Sequence, residues 1–366
     1  MLAPRWLPRP LWLFVPLAAY VLVVLAAVIL HGANTPTQTD DAMRVRAFAP
    51  MLAFDDVWAP EARAIFVTAG ALPTFVPALA WIATGSVDHF HVNYAVLAEL
   101  VALLALAIGL GAARGSPERG WTSAFALLSI PLFVYHCTST YSDAVLAMRV
   151  GGGLLLWIEY ARTGDRGDAA RALLLFGLAT LVKREGELVA AAPAAVLALQ
   201  LAVERGRGRP FPWRALLALA APVLLAAVAK VGAVGVAAAF PMLRFVAEQS
   251  GVAGAAAAPQ PGGIRGAAAR VFFETALLRS GNAAGLYWIL PAAALVRARA
   301  LVRSGLAWPG AGVLALLAEV AVSSIVLVPQ YTLDQSTVHR ALLVASVPAA
   351  LWLAAVLVDA ASERKA

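Results

Sequence analysis

Residues 65–84 read IFVTAGALPTFVPALAWIAT, and whether this stretch crosses a membrane decides the topology of everything after it. It is apolar enough to count as a span, but Pro73 and Pro77 remove backbone donors and break its helix. Around it lie ten further apolar runs: the N-terminal one ending at Leu30, then 92–113, 120–136, 144–160, 171–182, 187–203, 214–236, 283–296, 306–328 and 340–358. Basic patches fall at every second boundary between them: Arg114 and Arg119; Arg162, Arg166 and Arg171; Arg205, Arg207, Arg209 and Arg214; Arg297, Arg299 and Arg303; Arg364 and Lys365. If 65–84 is not a span, all these patches share one side with Arg5 and Arg9, as the positive-inside rule asks. Counting it as a span would move every later patch outside. We therefore read 31–91 as one outer segment of juxtamembrane helices, with 65–84 in or dipping into the interface.

Composition points the same way. The chain has 366 residues, 61% of them apolar and 13% charged, with mean hydropathy +0.80. Soluble domains are nearer half apolar and a quarter charged, so a water-soluble globular protein is excluded. The expected fold is all-α: one polytopic transmembrane bundle over 1–366 with about ten spans, each needing roughly 20 apolar residues. The first run follows two arginines as a signal peptide would, but it is too long and has no small-residue cleavage pattern, so it reads as a retained helix. Both termini then face the cytoplasm. The net charge of +7 belongs to cytoplasmic loops and does not indicate nucleic acid. The single Cys137 offers neither a disulfide nor a thiolate metal cluster. A second outer segment, 237–282, contains the run GVAGAAAAPQPGGIRGAAA and reads as a lid over a membrane site.

Polar groups gather on the outer side. Asp40 and Asp41 follow the first span, and Asp55 and Asp56 come some fifteen residues later. Asp40 also suits an N-cap for a helix over 42–53. All five histidines sit at outer helix ends or loops; His89 and His91 with Asp40 and Asp41 offer the ligand types of a divalent-cation site, the alternative being imidazole at an ordinary interface. Within the spans lie Glu99, Arg149, Lys230 and Glu319, each costing roughly 2.5 to 3.5 kcal/mol at a helix centre unless it faces protein or water. Pairing of Glu99 with Arg149, or of Glu319 with Lys230, would meet that need. Asp143 and Arg149 share the outer third of one span, beside Gly151, Gly152 and Gly153, which allow a neighbouring helix to approach closely. A short hairpin turns at Lys183, Arg184, Glu185, Gly186 and Glu187. Arg340 begins the last span next to Thr337 and His339, where a guanidinium suits a phosphate and ordinary snorkelling is the alternative.

The order of these features resembles the bacterial GT-C integral membrane glycosyltransferases, in particular the mannosyltransferase-like enzymes that use polyprenyl-phosphate sugars. The features are the outer acidic segment TDDAMRVRAF, the Pro-interrupted GALPTFVPALAWIATGS, Tyr141-Ser142-Asp143, the hairpin Lys183 to Gly186, and Thr337 to Arg340. The resemblance covers about residues 1–350. It implies an essential acidic residue at Asp40 or Asp41 and a donor-phosphate site at Lys183, Arg184 and Arg340, with Asp143, Glu185, Arg149 and His339 in support. Arg184 stands where many members have Asn, which bears on donor preference. Many members also carry a soluble outer domain that holds the acceptor, and nothing in this sequence reads as one.

The implied activity is inverting transfer of a sugar from a polyprenyl-phosphate carrier to a hydroxyl of a lipid, glycan or protein at the periplasmic face. One carboxylate would take the acceptor proton and the cations would hold the leaving phosphate. No organic cofactor is implied, and a divalent metal is the one candidate. Two other classes compete: a transporter or lipid flippase, expected to carry charges through both membrane halves, and a non-catalytic subunit that keeps the fold.

Overall fold

The computed structural model describes residues 11–34, 91–138, 142–182, 186–209, 213–239, 263–275, 285–327, 332–333 and 338–363. Regular structure among them is helical throughout: α1 (Leu11–Asn34), α2 (His91–Ala113), α3 (Pro117–Leu128), α4 (Pro131–Cys137), α5 (Ser142–Thr163), α6 (Arg166–Ala179) and α7 (Gly186–Gly206) come first. They are followed by α8 (Trp213–Ala239), α9 (Ile264–Phe273), α10 (Leu286–Val296), α11 (Ala298–Arg303), α12 (Ala307–Val322) continued by a π-helical turn (Ser323–Leu327), and α13 (Val338–Glu363). All ten apolar runs coincide with helices. Six are long and apolar enough to cross a membrane, in α1, α2, α5, α7, α12 with its π turn, and α13. A seventh is counted if α3 and α4, bent by 82° at Ser129–Ile130, form one broken span. The bend follows from sequence: Pro131 forces Ile130 into extended backbone, and Pro131 itself then opens α4. Most of 31–91 and of 237–282 lies outside the described residues, including 42–53 and 65–84.

The run expected at 171–182 belongs to a helix that starts earlier. Asp165 caps α6, its carboxylate accepting the Gly167 amide at 2.9 Å, so the helix opens at Arg166 and closes at Ala179.

At the centre of the bundle lie α5 and α13, packed along each other, with α6, α2 and α3 around them. Some 89% of the α5 span and 83% of the α13 span is buried, against 17% for α1, which identifies the lipid-facing periphery. Small residues set the spacing. Gly151 lies against Val347 of α13 and Gly153 against Phe176 of α6, as the glycine run suggested. Gly312 of α12 meets Trp157, where a Cβ would come within 2.3 Å of the indole.

One end of the bundle is bound together by ion pairs. Arg114, in the α2–α3 turn, donates to Asp168 at 2.7 Å and to Asp165 at 3.4 Å. Arg162 donates to Glu159 at 3.1 Å and to Asp359 of α13 at 2.8 Å, and Arg119 lies 3.5 Å from the same Asp359. Beside them Trp157 donates to Gln200 at 2.7 Å, Gln200 and Tyr160 donate to Glu204, and Arg209 reaches Glu204 at 3.3 Å. The turn before α12 joins the same end, with Gly305 against the Ala161 carbonyl and Trp352 donating to the Leu306 carbonyl at 3.0 Å. These are the turns that carry the basic patches: those from 114 to 303 mark one end of the bundle.

Candidate functional site

The opposite end holds the candidate site. α5 opens there with Asp143 in its first turn, a position where the helix dipole favours a carboxylate. α13 opens beside it with His339 and Arg340. Because the two helices run side by side, Arg340 Nε donates to Asp143 Oδ2 at 2.6 Å across 197 residues of sequence. Asp143 is 2% exposed and the Arg340 side chain 29%, so the carboxylate is enclosed while the Arg340 side chain is partly exposed. Arg340 is thus half of a charge-assisted pair with Asp143.

Arg149 lies six residues further along α5, about 9 Å down the axis and on another side of the helix. It forms a hydrogen-bonded ion pair with Glu99 of α2. This is the pairing expected for two charges within spans, and it separates Arg149 from the Asp143–Arg340 pair. Lys230 has a described backbone, but its side chain lies outside the described atoms, so its expected pairing with Glu319 does too; α12, which carries Glu319, packs on α7.

The hairpin reaches the same end. α6 closes at Ala179, with Thr180 Oγ1 donating to the Gly177 carbonyl at 2.7 Å, and α7 opens at Gly186. A Cβ on Gly186 would come within 2.1 Å of the Ala179 carbonyl oxygen and 3.3 Å of Leu146 on α5. Only glycine lets the two arms touch backbone to backbone there, which gives the last residue of the hairpin motif a steric reason. Leu146 is three residues beyond Asp143, so the base of the hairpin rests one helical turn from the Asp143–Arg340 pair. That contact was missed from sequence. Its signal was the three-residue spacing on α5 combined with a glycine closing a charged tip.

Asp40, Asp41, His89, Lys183, Arg184 and Glu185 lie outside the described residues, as does the side chain of His91. Among the described residues no cluster of three or more metal-ligating side chains occurs. The divalent-cation expectation rests on residues beyond them. Near the last span, Thr332 donates to the Ser324 carbonyl at 2.6 Å, and α9, within the segment read as a lid, packs on the Ser323–Leu327 turn.

ArnT from Cupriavidus metallidurans in the apo state superposes with a TM-score of 0.57 at 19% identity over 93% of this chain. The same protein bound to undecaprenyl phosphate gives 0.53 at 19% identity over 92%. The chain has an ArnT-like fold. It spans about 60% of the length of those ArnT chains. No family model and no curated protein matches the sequence.

Proposed function

We propose that this chain is a membrane glycosyltransferase of the GT-C type, moving a sugar from a polyprenyl-phosphate donor to a hydroxyl acceptor at the periplasmic face of a bacterial inner membrane, with inversion. The observation that carries the reading is the ArnT-like fold, one of whose solved forms holds undecaprenyl phosphate, combined with the meeting of α5, α13 and the hairpin base at one end of the bundle. In this mechanism Asp40 or Asp41 takes the proton of the acceptor hydroxyl as its oxygen attacks the anomeric carbon from the face opposite the phosphate. The bond to the phosphate oxygen breaks, and Lys183, Arg184 and Arg340 stabilise the charge that accumulates on the departing polyprenyl phosphate. Glu185 and His339 support these groups from adjacent positions.

The transporter reading is less well supported. A path through the membrane needs polar groups available at both ends, whereas at the patch-bearing end Arg114, Arg162, Glu159, Asp168 and Asp359 are engaged with one another. The deciding experiment is mass spectrometry of envelope glycans and polyprenyl-linked sugars in a deletion strain, complemented by wild type, Asp41→Asn or Arg340→Ala. Accumulation of an unconsumed polyprenyl-phosphate sugar with loss of one glycan modification is expected in the deletion and in both variants. An unchanged glycan and carrier profile would reject the transferase.

A further inference from the structure

We propose that a cavity at the patch-bearing end of the bundle is a binding site for one ordered water, which joins Arg119 of α3 to Glu159 of α5. The cavity lies where α2, α3, α5 and α13 meet and offers about 10 Å³ to a water-sized sphere, room for a single water and nothing larger. Its walls repeat at helical spacing: Arg119 and Ser123 on α3, Leu155 and Glu159 on α5, Leu351 and Ala355 on α13. Glycine keeps the remaining wall bare. Gly111 of α2 and Gly120 of α3 both border the cavity, and a Cβ on Gly111 would come within 2.7 Å of the Gly120 nitrogen, so the two helices touch there backbone to backbone. Two residues of the wall each keep one enclosed polar atom, Arg119 Nε and Glu159 Oε2, without a hydrogen-bond partner among the described residues. The rest of each side chain is engaged: an Arg119 terminal nitrogen lies 3.5 Å from Asp359, and Glu159 Oε1 accepts from Arg162 at 3.1 Å. Glu159 Oε2 has Arg114 Nε at 4.0 Å, beyond hydrogen-bond reach.

An enclosed donor and an enclosed acceptor beside one small cavity are what a water satisfies, accepting from Nε–H and donating to the carboxylate, with the Ser123 hydroxyl as a third partner. Glu159 is 6% exposed, so bulk solvent does not do this for it. Charge selects against ions. Arg114, Arg119 and Arg162 around Glu159 would repel a cation, while Glu159 and Asp359 would repel an anion. Because α3 packs mainly on α2, α13 and α1, the water gives it a polar link to the central α5. Two rivals make different predictions: a dry cavity, and an inlet of bulk solvent that needs neither polar atom.

The test is X-ray radiolytic labelling of the full chain in lipid nanodiscs, read by mass spectrometry, because a bound water generates hydroxyl radical beside the residues that enclose it. Ile158 and Leu351 line the cavity and are 1% and 0% exposed; Leu173 and Leu197, both 0% exposed, do not line it and serve as controls. In wild type the two lining residues should label several-fold faster than the controls. Ala355→Val fills the cavity and Arg119→Leu removes the donor, so in both variants labelling at Ile158 and Leu351 should fall to the control rate. Ala355→Val should also melt at a lower temperature, since the filled cavity leaves Arg119 Nε and Glu159 Oε2 unsatisfied. Control rates that stay low show that a variant is folded, and if Ala355→Val does not fold, wild type and Arg119→Leu still decide. Wild-type labelling no faster than the controls would overturn the proposal in favour of a dry cavity, as would a higher melting temperature in Ala355→Val. Labelling undiminished in a folded variant, above all in Arg119→Leu, would overturn it in favour of bulk solvent. The result is independent of the transferase reading, because the cavity lies at the end opposite the Asp143–Arg340 pair.

Discussion

At one end of the bundle Arg114, Arg119, Glu159, Arg162, Asp168 and Asp359 bind two turns and the end of α13 into one network. At the other end the described charged contacts each join only two helices, Asp143 with Arg340 and Glu99 with Arg149. Both ends pair ionisable groups, but among the described contacts the first joins several charges into a network whereas the second holds them as helix-to-helix pairs. If the second end also meets the donor, as proposed, mutational effects should divide along the same line.

The largest expected effect concerns sidedness. Reporter fusions at 116, 165, 208 and 301 should be cytoplasmic and those at 60 and 260 periplasmic, an all-or-none pattern that a cytoplasmic signal at 60 would break. Next, single Asn substitutions at Asp40 and Asp41 should be unequal. Loss of the general base should lower the transfer rate about 100- to 10,000-fold while the other substitution is milder, with both proteins melting normally. Equal, mild losses would remove both residues from the chemistry.

At the networked end the consequences should be to stability instead. Arg114→Ala leaves the enclosed Asp168 with Arg171 as its remaining described ion-pair partner and should destabilise the protein, read as a lower melting temperature in detergent, with kcat of the folded fraction unchanged. A fall in kcat without a fall in melting temperature would erase the distinction between the ends. Gly312→Ala drives a methyl into the Trp157 indole and should cost about 1 to 3 kcal/mol, again without altering donor KM. The smallest effect is at Asp165. The Gly167 amide, with Arg114 next, holds its carboxyl below the usual 3.8. A depressed folded-state pKa contributes stability above the unfolded value, and that contribution is lost as pH falls below about 3.8. The acid limb of a melting-temperature profile should therefore be slightly shallower in Asp165→Asn, and an identical limb would show that the cap is energetically silent.

Much of this architecture was legible in one dimension, because lipid imposes simple rules. The charge alternation around Arg114, Arg162 and Arg205 marked one end of the bundle, and Pro131 marked the α3–α4 bend. The pairing of Glu99 with Arg149 could be anticipated from the cost of two lone charges within spans. Long-range partners could not. Nothing local in the sequence links Asp143 to Arg340 or Arg162 to Asp359, since only helix packing brings those segments side by side. The length of α6 was misjudged for a nearer reason: Asp165 caps a polar first turn that a hydropathy window does not register.

The pairing of α5 with α13 has a consequence for how the molecule is made. Asp143 and Arg162 both await partners encoded 197 residues later. At about 5 to 20 residues per second the ribosome needs about 10 to 40 seconds to supply α13. During that interval α5 is in the membrane with an acid at one end, a guanidinium at the other and Arg149 between them, packed by α2, α4, α6, α7 and α12 but not yet by α13. A chain stopped before residue 338 would expose that half-finished seam to whatever quality-control protease surveys the bilayer, so the last helix to emerge also marks the point at which the protein becomes durable.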